Sequence, residues 1–558
     1  MRMPRLKHGL GSAALGILML TAPADGQETT RVSVDSSGAE GNGKSYVPSI
    51  SANGQIVAFF GDASNLVAGD TNLVHDVFIH DRSTGITERV SVDSSGAQGN
   101  TTSWNPAISA DGQVVAFNSV ASNLVSGDTN GALDVFVHDL STRQTERVSV
   151  DSSGAQGDFD SWNPAISADG HIVAFMSVSS FVDGDRNGTF DVFVHDRSTG
   201  ITKRVSVNSS GEEGNDTSVV PALSADGQIV AFYSHATNLV DGDTNAMFDV
   251  FVHDCSTRRT ERVSVDSSGA QGNGLSSFPK ISADGQIVAF ESLASNLVAG
   301  DTNGVNDVFI HNRSIGLTER ASVDSSGAQG NRRSRLPEIS ADGHIVAFAS
   351  NASNLVAGDT NGVSDVFIHD RTTGLTERIS VDSSGAEGNG ACFETAISAN
   401  GQVVAFSSEA SNLVAGDANG YRDVFVHERC EIGATWTNYG AGFPGTNGVP
   451  TFTSRADPVL GTTIALDIAN SYGASSCGLL LVGFQRTQIP STWGGDVLVV
   501  PMLTLLIVLP SGGTSVTGDI PIDHDLCGFT IDLQSIELDP GAANGVSFTP
   551  GLELLLGH

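Results

Sequence analysis

Basic residues are scarce in this chain. Among 558 residues there are 28 lysines and arginines against 63 aspartates and glutamates, a formal net charge of −35. A chain so acidic is repelled by nucleic acid and by anionic membrane surfaces, so neither is expected as a partner. Cysteine is equally sparse: there are five, none in C-x-x-C spacing, which leaves no zinc ribbon or dithiol motif. Long apolar runs are missing after residue 26. The most apolar later stretch, Val497 to Leu509, is too short to span a membrane and contains Pro501, so it is expected as a buried pair of strands. No segment sustains a 3.6-residue period, which predicts almost no helix. Aromatics make up 6% of the chain, with four Trp and five Tyr.

What is present is repetition. The segment Arg-Val-Ser-Val-Asp, or a close variant, opens at Arg31, Arg89, Arg147, Arg204, Arg262, Arg320 and Arg378, so copies stand 57 or 58 residues apart. A fixed period of this size marks a repeat architecture. Each unit holds four short runs rich in Val, Ile and Phe: in one copy Ala107-Ile108, Val114–Phe117, Asp134–Val137 and Glu146–Val150. Such runs suit a pleated sheet, and Ala110-Asp111-Gly112 between the first two supplies a hairpin turn. Four antiparallel strands repeated seven times predict an all-β, seven-bladed β-propeller over residues 27–430. Residues 29–35 form a fourth strand with no blade before them, and the last repeat, Thr395 to Glu428, has none of its own. The N-terminal strand is therefore expected to close the ring.

The repeated pattern P-x-I-S-A-D-G-x-x-V-A-F-x-S resembles that of TolB-type, WD40-like (PD40) propellers of bacterial envelopes, over residues 31 to 430. The resemblance implies the blade, not a role, because the N-terminal α/β domain through which TolB contacts its partners has no counterpart here. Residues 431–558 are read as a β-sandwich domain, with strands at Thr462–Ile468, Gly478–Phe484, Val497–Leu509, Phe529–Leu538 and Val546–Leu556. The stretch YGAGFPGTNGVPTFT…DPVLGTTIALDI resembles a C-terminal module of secreted bacterial proteins and implies no activity. Residues 1–26 carry Arg2, Arg5 and Lys7 before an apolar run, Gly11 to Leu20, then Ala22-Pro23-Ala24; this reads as a signal peptide cleaved near residues 24–26. The expected location is secreted, periplasmic or on the bacterial cell surface.

Two candidate sites follow. The loop between the second and third strands is acidic, and in the third repeat Asp183, Asp185, Asn187 and Asp191 spell D-x-D-x-N-G-x-x-D. This resembles the calcium loops of integrin-type propellers and thrombospondin repeats, in which alternating oxygens converge on one ion. The fourth repeat offers Asp241, Asp243, Asn245 and Asp249 with Ala246 in place of Gly. The alternative is that Asp-Thr-Asn-Gly is simply turn chemistry. The second site precedes the repeated Pro, where successive blades carry Tyr46, Trp104, Trp162, Val219, Ser277, Arg335 and Phe393. In a closed ring Phe393, Tyr46, Trp104 and Trp162 are neighbours, an aromatic arc for a sugar, peptide or other flat group; the alternative is that these rings pack between blades. Arg335 lies opposite, with Arg332 and Arg333 beside it.

No catalytic residue is singled out. The G-x-S-x-G elbow and the S-x-D-x-G-x-x-W box are both absent, and the histidines at 80, 138, 195, 253, 311, 369 and 427 repeat as scaffold groups do. Cys477 and Cys527 are candidates to pair, Cys392 and Cys430 pair or do not, and Cys255 is expected as a lone surface thiol. The functional expectation is a secreted, non-enzymatic, monomeric propeller that binds a protein or glycan through its loop-bearing face, with calcium as the one cofactor. The alternatives are an extracellular hydrolase or lyase acting on carbohydrate or peptide, and a structural cell-surface protein.

Overall fold

The computed structural model describes residues 28–429, 434–459, 462–520 and 529–557, and all regular elements among them are strands. No helix among these residues is long and apolar enough to cross a membrane. The expected signal peptide, Cys430 and Cys527 lie outside the described residues. The chain divides into two compact units, Glu28–Glu428 and one beginning at Arg429.

The first unit is a seven-bladed β-propeller. Each blade is a four-stranded antiparallel sheet in sequence order; blade two, for example, runs Ser103–Ile108, Val114–Ser119, Asp134–Asp139 and Gln144–Arg147. Blade one starts at Ser45, blades three to six at Ser161, Ser218, Ser276 and Ser334, and blade seven at Cys392. In blade seven the outer position is filled by Thr29–Arg31, paired with Asp423–Glu428 in the register Thr30 to Val426. This closure covers an edge strand that would otherwise present a row of unpaired backbone groups.

The core lies between blades. Val77, Ile79 and Val90 of blade one pack against Val115, Phe117 and Phe136 of blade two, all of them buried. Within each blade one Phe from the second strand stacks on one from the third, as Phe117 does on Phe136 at 6.0 Å. Each hairpin turn also plugs into the preceding blade. Gly112 has φ +74°, and a Cβ there would sit 2.7 Å from Ile56 of blade one. The same geometry recurs at every blade, down to Gly54 against Val403 across the closure.

The outer strand differs from its expected bounds, ending at Arg147 rather than Val150. After Arg147 the Val148 N–H still reaches across to the Val135 carbonyl at 2.9 Å, and the Ser149 N–H reaches the same carbonyl only at 3.4 Å. The Ser149 hydroxyl then takes the Val135 N–H at 3.1 Å, so a side chain replaces the next rung. For the same reason the N-terminal strand is Thr29–Arg31 and not 29–35. The inner strand is longer than expected, because it starts at Ser103 and absorbs a bulge between Trp104 and Ala107.

In the second unit, Thr435–Tyr439, Gly551–Leu555, Thr530–Leu538, Ser476–Gly483 and Leu503–Leu509 form one sheet in that order, with Val546–Phe548 beside Thr530–Leu538. A second sheet of Phe452–Ser454, Thr463–Ile468 and Thr514–Asp519 shares its apolar core, centred on Leu466, Leu480 and Leu552. The expected buried pair within 497–509 is corrected. Asp496–Val499 pairs with Arg486–Pro490, and Leu503–Leu509 is an edge strand with Leu506 76% and Val508 66% exposed.

The turn glycines generate a test of the interlock. Gly96 has φ +85° with open space around it, so Gly96→Ala is expected to cost about 1–2 kcal/mol, the left-handed penalty alone. Gly112→Ala adds the collision with Ile56 and is expected to cost distinctly more in urea unfolding. Equal losses would mean that the turns do not lock the blades.

Candidate functional site

Inner strands begin, second strands end and third strands begin on one side of the ring, so both sequence-derived sites lie on the same face. The acidic loops reach it first. In every blade the arginine that ends the outer strand turns into this loop. Arg147 Nη1 stands 3.3 Å from Asp128 and 3.2 Å from Asp134, and Arg204 Nη1 3.6 Å from Asp185 and 3.5 Å from Asp191. Asp134 and Asp191 are fully buried, and the guanidinium supplies the charge that makes their burial tolerable.

Of the four oxygens expected to converge in blade three, the structure brings together two, Asp185 and Asp191. Asp183 is exposed and stands outside the cluster. Asn187 turns its amide nitrogen inward, donating to Asp191 Oδ2 and to the Gly214 carbonyl at 3.0 Å each, so it offers the centre no oxygen. The third carboxylate is one the sequence reading missed, Glu213, whose Oε1 lies 2.7 Å from Arg204 Nη1. In blade four Asp243 and Asp249 converge while Asp241 is exposed, and Asn245 again donates to Asp249. The place of Glu213 is taken there by Gln271, which donates to both aspartates at 2.8 Å. Three clusters carry glutamate: Glu40 with Asp417 and Asp423, Asp185 and Asp191 with Glu213, and Asp359 and Asp365 with Glu387. A glutamate in a position that elsewhere holds glutamine was the signal available in the sequence.

Burial raises the aspartate pKa values in these clusters. Asp191 and Asp365 are pushed up to about 6 chiefly by burial, and Asp417 to about 6 by burial and then by the neighbouring Asp423 charge. Glu213 goes the other way: burial opposes it, but the backbone N–H groups of Arg186 and Asn187 and the Arg204 charge hold it down.

Inside the ring the inner strands enclose a channel of about 480 Å³. At its mouth Val47, Asn105, Asn163, Val220, Phe278 and Leu336 all have φ between +44° and +53°, each directly before a proline. The same bulge recurs in six blades, so it belongs to the repeated scaffold of the opening. Asn105 and Asn163 line the channel and join through an Nδ2 to Oδ1 bond of 3.0 Å. Deeper charges are paired, Lys280 with Glu338 at 2.6 Å.

The aromatic arc divides in two. Trp104 and Trp162 sit together with ring centroids 6.1 Å apart and planes tilted by 54°, both partly exposed. Among the described residues neither indole N–H has a hydrogen-bond acceptor. Tyr46 instead stacks on Phe60 of its own blade at 5.2 Å. Phe393 is covered by the Arg422 guanidinium, 3.4 Å above its ring. Arg335 stands in the register of Trp104 on blade six, opposite Ala349.

The histidines hold the blades together: His138 Nδ1 meets Thr145 Oγ1 at 2.8 Å, and that hydroxyl donates to the Val92 carbonyl of the preceding repeat at 2.6 Å. Cys255 is a lone thiol as expected, but half-buried rather than on the open surface. It packs against the core between blades three and four, and burial raises its pKa to about 11. Cys392 is buried, with its sulfur 3.3 Å from Ser408 Oγ, and Cys477 is an exposed free thiol.

No protein-family model matches the chain, and no curated protein matches its sequence. Solved structures similar to it include the putative TolB from Agrobacterium tumefaciens, at 15% identity and TM-score 0.32, covering 50% of this chain and 79% of that one. RRP9 WD40 repeats align at 11% identity and TM-score 0.38, covering 73% and 99%. The periplasmic gluconolactonase PpgL of Pseudomonas aeruginosa aligns at 14% and 0.32, covering 69% and 96%. At these values the likenesses carry no functional argument. The propeller assignment stands on the seven sheets themselves.

The Asp191 cluster has a pH signature. A carboxyl whose folded pKa, about 6, exceeds its ordinary 3.8 contributes stability that is full below 3.8 and lost as pH rises through 6. His195, held by burial below 6.5, runs oppositely and loses its contribution as pH falls. Comparing wild type with Asp191→Asn cancels the histidine. The wild-type melting temperature is expected to fall relative to the variant between pH 5 and pH 7.5; parallel curves would contradict the buried, proton-binding carboxyl.

Proposed function

We propose that this protein is an extracytoplasmic, non-enzymatic propeller that holds a ligand at the channel mouth where the inner strands begin. The observation that carries this reading is the Trp104–Trp162 pair. Two partly exposed indoles, with both N–H groups free of acceptors among the described residues, stand beside the amides of Asn105 and Asn163. Flat apolar faces with a few fixed polar groups are what a saccharide ring requires. The pattern of residues 1–26 supports the extracytoplasmic location. Against catalysis stands the chemistry of the mouth, where Lys280, Glu338, Glu394 and Arg422 are engaged with one another or with their neighbours.

Immobilised neutral and acidic oligosaccharides test this reading. Trp104→Ala and Trp162→Ala are each expected to weaken retention at least about tenfold, a loss of about 1.4 kcal/mol. Because both rings are only partly buried, each should cost less stability than the ~3–5 kcal/mol of a core Trp. A loss of that larger size, with retention intact in the folded fraction, would assign the rings to packing. Hydrolysis or elimination products in the same incubations would establish the enzyme reading instead.

Calcium is a second reading, confined to the three glutamate-bearing clusters. Their residues fit a divalent ion better than the glutamine-bearing ones do, since three carboxylates against one guanidinium leave a charge of −2 when all are ionised. The ion would have to share the centre with Arg204, Arg378 or Arg31, and Asp185, Asp191 and Glu213 would be its ligands in blade three. Millimolar calcium is then expected to raise the melting temperature, as extracellular calcium modules bind at about 0.1–1 mM. Glu213→Gln, which installs the arrangement already present at Gln271, should remove part of that rise. Identical melting in calcium and in chelator would leave the clusters as arginine-holding loops.

A further inference from the structure

The mouth carries a second unusual feature, on the side opposite the tryptophans. On a chain of net charge −35, the loop into blade six holds Arg332, Arg333 and Arg335 within four residues. The repeat arginines are spent on aspartates, and Arg422 is held by Glu394 at 3.5 Å and Glu409 at 3.8 Å. Arg335 is different. Among the described residues its guanidinium makes no hydrogen bond or ion pair; its Nε is buried without an acceptor as in the repeat arginines, so the difference lies at its terminal nitrogens. The nearby carboxylate, Glu291, interacts with the charges of both Arg333 and Arg335, so two guanidiniums face one carboxylate and none of its hydrogen bonds goes to Arg335. Glu291, 3% exposed, gives one oxygen to the Asn306 amide at 3.0 Å and the other to the Leu336 N–H at 3.0 Å, with Arg333 3.6 Å away.

We infer that Arg335 is an anion subsite of the channel mouth and that the ligand is an acidic oligosaccharide, its carboxylate on Arg335 and a sugar ring on Trp104 and Trp162. This rests on the ligand reading above and adds the charge of the ligand. A partly buried guanidinium that no carboxylate contacts directly is poorly solvated, and its planar fork matches a carboxylate. Its register is that of Trp104: each is the second residue of its inner strand and directly precedes a residue that lines the channel, Leu336 and Asn105. Ala349 across from it is small, where the equivalent positions hold Phe60, Asn118, Met176, Tyr233 and Glu291. A saccharide suits the mouth better than an extended peptide. Strand addition needs unpaired backbone, and the first residues of the inner strands already donate to the neighbouring blade, as Ser103 N does to the His75 carbonyl at 2.8 Å.

Calorimetric titration of the full chain with short oligoglucuronate and oligomannuronate, with their methyl esters and with polyglutamate, tests the inference. The acid forms are expected to bind at least about tenfold more tightly than the esters at low salt, with the gap narrowing in high salt. Arg335→Met should erase the gap while leaving ester binding unchanged, and Arg335→Lys, which keeps the charge, should retain part of it. Trp104→Ala should weaken acid and ester alike. Acid and ester binding equally, both lost in Trp104→Ala, would overturn the anion subsite and leave the ligand reading standing. Absence of binding to every saccharide, or tighter binding of polyglutamate, would overturn the inference outright. A drop in the melting temperature of Arg335→Met is separable from lost binding by the Arg335→Lys result.

Discussion

The first unit depends on backbone hydrogen bonds that run in a circle. At the turn end of the inner strands Ala52 N donates to the Ala110 carbonyl, Ala110 to Ala168, and so on through Ala225, Ala283 and Ala341, until Ala399 N returns to Ala52 at 2.9 Å. At the other end Ser45 N closes a second circle on the Arg422 carbonyl at 2.8 Å. Each bond contributes only about 1 kcal/mol net. Closure changes what they do, because no blade can shift without breaking bonds to both neighbours. The last blade joins only because Thr29 supplies what its own repeat lacks. Its hydroxyl donates to the Val381 carbonyl at 2.6 Å and meets His427 Nδ1 at 2.7 Å, the same contacts that Thr145 makes in blade two.

The repeated arginines carry that order outward to the loops. A guanidinium nearly free of solvent is costly to bury, and losing one partner of such a pair costs about 3–5 kcal/mol. It persists in all seven blades because one side chain fixes three segments. Arg147 is anchored on the outer strand, Asp128 lies in the long loop, and Asp134 opens the third strand. Asn130 adds the fourth connection, to the Gly157 carbonyl at 2.9 Å. The acidic loop is thus an arginine socket first. Any cation that enters a glutamate-bearing cluster does so as an addition to that socket.

Periodicity made the propeller legible in the sequence, and the absence of a fourth strand after Glu428 pointed to its closure. The acidic loop was legible as a cluster but not in its chemistry. Spacing within a loop says which carboxylates are near one another along the chain. It does not say that Arg204, from the strand after it, and Glu213, from the next loop, will fold into the same centre. The same limit hid Arg422, which is far from Phe393 and Tyr46 in sequence yet covers one ring and lies 5.1 Å from the other. In the second unit hydrophobicity misled. Leu503–Leu509 reads as core, but its outward residues pair with Cys477 and Leu479 on the exposed side of the sheet.

A repeat protein contains its own controls, and these bear on the tryptophans. One register position is filled by Tyr46, Trp104, Trp162, Val219, Ser277 and Arg335 in blades that share the same strands, the same bulge and the same turn. Val219 and Ser277 are buried there, so the position accepts a small side chain without loss of the fold. Large rings are therefore not a requirement of the blade. Tyr46 and Phe393 have found local work, one on Phe60 and the other under Arg422. Among the described residues, the one ring contact that Trp104 and Trp162 make is with each other, on the partly open side of the mouth. Their size is unexplained by the scaffold that the other blades build without them, which is why we propose the ligand there rather than at any position the seven repeats share.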